Sequence, residues 1–364
     1  ALSGSSLIKD GLYPDGALQG RLDTDEDGRT LLTFTDKRGR KVLERRGGSN
    51  DTYFVYDDLD RLRFVLSPQY QESGYKDKYA YEYRYDERGN IVKKILPGCA
   101  VDQYWYDGAG RLTFESLQGA EGYSYRFRLY DRYGRLCVQG LCSDCDRSFS
   151  GASRTPRVTY TGGQGLLGTG YSLAPQGLLR GRLKLERALY YDGYGFADVS
   201  AFQGLAHTTP GSADGLQTGS VTASSDGSLL YAVLSYDVKG RLTSSASTTL
   251  GGRVETSSTS YTYTGNPSET AYSLSGVMSA SQSSDYYPVC DKPRSSVLSV
   301  SLGGRTSSQR TALYAYDDLG RLESVARGGS AGTTSYEYDL HGRPTAVSSK
   351  AFEEELFYTG GNGE

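Results

Sequence analysis

The sequence predicts an all-β protein built as an array of antiparallel hairpins, and three observations carry that prediction. A seven-residue pattern, Tyr-Asp-x-x-Gly-Arg-Leu, recurs from one end of the chain to the other. Aromatic residues on its N-terminal side return every second position, as in Tyr81-x-Tyr83-x-Tyr85, which is the period of a strand. No sustained 3.6-residue apolar period competes with it, and only Phe352 to Phe357 could form a single helical turn.

The pattern is complete at Tyr106 to Leu112, Tyr130 to Leu136, Tyr236 to Leu242 and Tyr316 to Leu322, and nearly so at Tyr338 to Pro344. Its core, Asp-x-x-Gly-Arg, gives Asp107 with Gly110 and Arg111, Asp131 with Gly134 and Arg135, and Asp237 with Gly240 and Arg241. It also gives Asp317 with Gly320 and Arg321, and Asp339 with Gly342 and Arg343. Two more copies stand at Asp25 and Asp36, making seven where the composition predicts about 0.3 by chance. Looser copies follow Asp57, Asp86 and Asp192. Recurrence on this scale marks a repeat architecture.

Each residue of the unit has a local reason. An aromatic residue before the Asp and an aliphatic one after the Arg are the ends of two strands joined by a tight turn. Asp can accept backbone N–H bonds two residues on, and Gly at the fourth position supplies the positive φ that closes a type I turn with a bulge. At Asp60 the Gly is replaced by a residue type that tolerates the left-handed region. The Arg can stack on a neighbouring repeat's Tyr or pair with the turn Asp. These turn residues are predicted to be structural, since a side chain repeated in every turn belongs to the scaffold.

The chain holds 32 Tyr against 10 Phe, so the favoured ring is the one whose hydroxyl can be hydrogen-bonded. A net charge of −3 gives no basic field, and nucleic acid is not an expected partner. No apolar run approaches the length of a membrane span, so membrane insertion is not expected. The chain begins without Met and its last residues, from Tyr358, resemble the opening of another turn, which suggests a piece of a longer protein.

Residues 1–50, with two turns 11 residues apart, are expected to be lead-in hairpins, and residues 51–364 one continuous array, incomplete at its C-terminal end. Between Asp57, Asp86, Asp107 and Asp131 the turns are 29, 21 and 24 residues apart, which fits two strands and two turns. From Cys142 to about Tyr190 the motif lapses, with Tyr160-Thr161-Gly162 as a degenerate copy and a loop or an irregular strand pair expected. Beyond Leu229 the hairpins return with longer Ser/Thr-rich strands, tipped by Gly251-Gly252 and Gly303-Gly304.

Laid out in this way, the chain resembles the YD-repeat family, which includes bacterial rearrangement-hotspot (Rhs) proteins, wall-associated proteins, insecticidal toxin-complex shells and teneurins. The resemblance rests on the motifs at 106, 130, 236 and 316 and covers most of residues 25–343. It implies a spiral of antiparallel hairpin repeats forming a curved sheet or partial hollow shell. The implied function is a non-enzymatic structural segment of a large secreted or cell-surface bacterial protein, encasing or displaying a C-terminal cargo. Its partners would be the remaining shell and C-terminal region of the parent protein; the alternative is a carbohydrate- or receptor-binding surface. Many Rhs members carry an Asp-Pro self-cleavage motif. No Asp here precedes Pro, so autoproteolysis is not carried over.

Chemistry has few candidates. Asp23-x-Asp25-x-Asp27-Gly28 imitates the start of a calcium loop, but Phe34 stands where the closing Glu belongs. Cys142-x-x-Cys145 has zinc-knuckle spacing with Cys137 nearby; a Cys137–Cys142 bridge across a turn at Gly140 and reduced thiols are the other readings. His207 and His341 are the two histidines, and no Gly-x-Ser-x-Gly accompanies them. No cofactor and no enzymatic activity are expected.

Overall fold

The computed structural model describes residues 2–3, 6–8, 11–119, 122–148, 155–208, 213–328 and 332–358. Two compact units divide the chain between Glu186 and Arg187. Both are antiparallel β-structures, as the fold class requires.

The first unit opens with β1 (Leu2–Ser3) and β2 (Ser6–Leu7), a two-stranded pair. A meander follows: β3 (Leu18–Thr24), β4 (Thr30–Asp36), β5 (Lys41–Arg46), β6 (Asn50–Tyr56), β7 (Leu62–Leu66), β8 (Ala80–Tyr85), β9 (Ile91–Ile95), β10 (Val101–Tyr106), β11 (Leu112–Ser116), β12 (Tyr125–Tyr130) and β13 (Leu136–Cys145). Each strand pairs antiparallel with the next. For the motif-poor stretch, where a loop or an irregular strand pair is the expectation, the structure has a two-stranded pair, β14 (Arg157–Tyr160) with β15 (Tyr171–Ala174). Tyr160-Thr161-Gly162 opens a longer link there instead of a copy of the turn, since the Thr161 N–H donates to Gly170 O. β16 (Leu179–Asp192) begins in the first unit and ends in the second.

The second unit continues with β17 (Ala213–Ala223), β18 (Leu229–Tyr236), β19 (Leu242–Thr248), β20 (Val254–Tyr261), β21 (Pro267–Leu274) and β22 (Met278–Tyr286). It ends with β23 (Pro293–Leu302), β24 (Arg305–Tyr316), β25 (Leu322–Arg327), β26 (Gly332–Tyr338), β27 (Pro344–Ser349) and β28 (Glu353–Glu355). β28 corrects the expectation of a helical turn at 352–357: its backbone pairs with β27. Gly251-Gly252 and Gly303-Gly304 do stand at hairpin tips. The repeat opening read after Tyr358 lies outside the described residues.

Two short helices were not expected: α1 (Pro68–Ser73) and α2 (Lys76–Tyr79), both between β7 and β8. Pro68 starts α1 and Gly74, at φ 71°, ends it.

Register explains where the core sits. In the first unit Phe114 pairs with Phe127 and Phe127 with Gly140, and both rings are fully buried. Gly140 is bare because a Cβ there would lie 2.7 Å from the Phe127 ring and 2.3 Å from Lys184 O. In the second unit Tyr190 pairs with Gly219 and Gly219 with Val233. The segment after β16 folds back so that Phe196 stacks on Tyr190 at 4.3 Å, over the space Gly219 leaves. Phe202 completes the cluster, 5.0 Å from both Phe196 and Tyr231.

Candidate functional site

The tyrosine-led turns are the most elaborated feature of the surface. In the turn at Asp107 the Gly110 N–H donates to Asp107 O and the Asp107 N–H to Arg111 O, each at 2.9 Å. Gly110 has φ 77°. The carboxylate divides its work: Oδ1 accepts from the backbone N–H groups of Ala109 and Arg111, and Oδ2 takes the Arg111 guanidinium at 2.6 Å. The Tyr closes the hairpin opposite the residue after the Arg, Tyr106 with Leu112, at a register shift. The same arrangement is built at Asp57, Asp131, Asp237, Asp317 and Asp339, where Arg61, Arg135, Arg241, Arg321 and Arg343 bond to the turn carboxylate. In the Asp57 turn Asp60 takes the glycine position at φ 62°. At Asp86 the partner is Asn90, whose amide donates to Oδ2 at 3.0 Å.

Alternate hairpins of a meander turn at the same side of their strands. In the first unit the turns at Asp36, Asp57, Asp86, Asp107 and Asp131 follow β4, β6, β8, β10 and β12, and therefore share one edge. There the Arg of one turn meets the Tyr of the next at three places, while Arg135 lies over Tyr133 of its own turn. Arg40 lies over Tyr56, Arg61 over Tyr85 and Arg111 over Tyr130, 4.6–5.0 Å from the ring centroids. Arg241 over Tyr261 and Arg321 over Tyr338 do the same in the second unit, at 4.5 and 4.8 Å.

The Tyr hydroxyl returns the contact. Tyr85, Tyr130, Tyr261 and Tyr338 donate to the carbonyls of Leu62, Leu112, Leu242 and Leu322, the residues directly after those arginines, at 2.7–2.9 Å. Arg321 Nη1 also donates to Asp339 O at 2.9 Å. Stacking on Tyr and pairing with Asp are thus simultaneous, because the guanidinium uses its edge for one and its face for the other.

The electrostatics follow from these bonds. Burial by itself would raise the Asp57 and Asp317 carboxyls, but the Arg N–H and guanidinium outweigh it and hold both below the ordinary carboxylate range. At Asp237 and Asp339 the backbone N–H of Arg241 or Arg343 is the largest influence, and it too lowers the pKa. Burial pushes the Tyr130 phenol up, so it keeps the proton it donates.

The other candidates disperse. Asp25 Oδ1 accepts from the N–H groups of Asp27 and Arg29, while Asp23 pairs with Arg21 and Asp27 with Arg29. Among the described residues, no three His, Cys, Asp or Glu side chains gather as a metal site would require. Cys137, Cys142 and Cys145 lie buried along the single strand β13 and are unbridged. Gly140 is in the middle of that strand, which corrects the reading of a Cys137–Cys142 bridge across a turn. Burial pushes the Cys137 thiol up to about 11. The Cys142 thiol beside it, and burial second, push Cys145 up as well. His207 stacks on Tyr194 at 5.3 Å, and His341 sits in a turn with its backbone N–H on Asp339.

Residues 316–351 match the family described as RHS Repeat. The protein carries an RHS repeat. The matched segment begins at the Tyr of one full motif and includes the turns at Asp317 and Asp339 with the Arg321–Tyr338 contact between them. No curated protein matches the sequence. Among solved structures, a chain from the crystal structure of TcdB2-TccC3-Cdc42 is 13% identical with a TM-score of 0.46, covering 88% of this chain and 15% of that one. A porin-like protein from Bacteroides uniformis is 10% identical with a TM-score of 0.25, covering 64% of this chain and 87% of that one. The protein thus spans 15% of the length of the first.

Proposed function

We propose that this RHS-repeat protein is wall: a structural segment of a larger secreted or cell-surface bacterial protein that encases or displays a polypeptide lying C-terminal to it. The observation that carries the reading is the interlock between successive repeats. Turn Asp, Arg and the next Tyr are committed to one another in the copies at Asp107, Asp237 and Asp317, and a side chain so engaged maintains strand neighbours instead of meeting a substrate. The rings of Tyr56, Tyr85, Tyr130, Tyr261 and Tyr338 already carry an arginine and their hydroxyls already donate, so a glycan would have to use other aromatic residues, such as the exposed Tyr13.

The test is limited proteolysis of the full-length parent protein, wild type against a variant carrying Arg111→Ala and Arg321→Ala. A wall predicts that the C-terminal polypeptide survives in the wild type and is cleaved in the variant. Equal cleavage of that polypeptide in both would overturn encasement.

A further inference from the structure

The segment between β7 and β8 departs from the short links on the same edge, such as Gly47-Gly48 between β5 and β6. It folds into α1 and α2, with Tyr70 packed against the buried Phe64, Leu66 and Ala80. Between this segment and the sheet is a cavity of about 580 Å³, within the range of small-molecule sites. Its charged lining is Arg63, Lys76, Glu82 and Arg84; Tyr70 supplies a ring, and Tyr85, which carries Arg61, borders it. Three cations face one carboxylate.

The charges in that lining are unevenly matched. Glu82 is 2% exposed; its Oε1 accepts from Arg84 Nε at 2.6 Å. Lys76 Nζ lies 2.6 Å from Oε2 as an ion pair; burial alone would raise the carboxyl, but Lys76 and Arg84 hold it below its ordinary range. Arg63 is half-buried, gives Nε to Tyr83 O at 2.9 Å and has no carboxylate partner. Across the ladder Arg84 faces Lys93, which adds positive charge.

We propose that this cavity binds a small phosphorylated sugar or polyol. The phosphate sits against the free guanidinium edges of Arg63 and Arg84, which suit a tetrahedral oxyanion. A ligand hydroxyl donates to Glu82 Oε2, and the body of the ligand lies along the Tyr70 ring. The charge excess of the lining matches a dianion. The ligand contacts are independent of the wall reading, since Arg63, Tyr70, Glu82 and Arg84 lie outside the Asp–Arg–Tyr interlock; Tyr85, at the margin of the cavity, keeps its Arg61.

Calorimetry on the whole chain at low salt tests it, with glucose 6-phosphate, inorganic phosphate and glucose as separate probes. One saturable site is expected for glucose 6-phosphate, weaker binding for phosphate and none for glucose. Arg63→Gln should weaken the sugar phosphate at least about tenfold, as loss of a charge-assisted contact does. Lys239→Gln, in the second unit, should leave it unchanged, and circular dichroism of each variant guards against misfolding. Absence of binding by either phosphate probe, or equal weakening in both variants, would overturn the site. Phosphate binding as tight as the sugar phosphate would overturn the Glu82 contact.

Discussion

The guanidinium of Arg111 stands 4.6 Å from the centre of the Tyr130 ring, and the Tyr130 hydroxyl donates back to the carbonyl of Leu112 at 2.8 Å. One arginine therefore closes its own turn and holds the strand of the following repeat. Adjacent repeats should lose stability together when either partner is cut.

Tyr130→Phe keeps the ring under Arg111 and removes only the hydroxyl bond, so it should cost about 1 kcal/mol. Arg111→Ala removes the Asp107 pair as well and should cost more. Urea unfolding of both singles and the double variant should give a coupling of at least about 0.5 kcal/mol. Strict additivity would mean that the two residues are only neighbours.

Gly110→Ala isolates the backbone requirement of the turn. A Cβ there meets nothing within 4 Å, so strain at φ 77° is the whole effect. The expected loss is about 1–2 kcal/mol by thermal unfolding. A neutral result would show that the turn relaxes out of the left-handed region.

Acid should weaken the protein through the turn carboxylates. Asp57, Asp237, Asp317 and Asp339 titrate below their ordinary value when folded. Their contribution is fully present above the unfolded pKa of about 3.9 and is lost as pH falls through the lowered folded values. Urea midpoints should hold steady down to about pH 5 and then decline. Asp317→Asn should shallow that decline, and an unchanged slope would remove Asp317 from the account.

Thiol reactivity should separate the cysteines by burial. Cys99 and Cys290 are exposed, while Cys137, Cys142 and Cys145 are buried. Ellman's reagent at about pH 8, below the raised pKa of Cys137, should find two fast thiols in the native protein and all five after unfolding. Fast loss of a third would show that β13 opens.

Much of this was legible because the turn chemistry is local. Asp, Gly and Arg act within five residues of one another, so spacing alone places them, and Asp60 at φ 62° obeys the rule its substitution implied. Signals that depend on distant partners were harder. Gly140 suggested a turn, because glycine marks both turns and close approaches, and the ring that requires it comes from Phe127 on another strand. Glu353 to Glu355 form a strand only because β27 offers hydrogen bonds. The helices at 68–79 did leave a local mark, Pro68 followed by Gly74, but both are too short for a hydrophobic period to reveal them. Nothing in the spacing announced that Lys76 and Glu82 would meet under them.

The placement of the tyrosine-led turns along a single margin of the first unit has an evolutionary corollary. That margin is intolerant of extra residues, since each added one would pull an arginine away from the ring it covers. The opposite margin carries no such obligation, and there the link between β7 and β8 is long enough to form α1 and α2. New loops, and with them new specificities, can therefore accumulate on one rim while the other preserves the spacing of the strands.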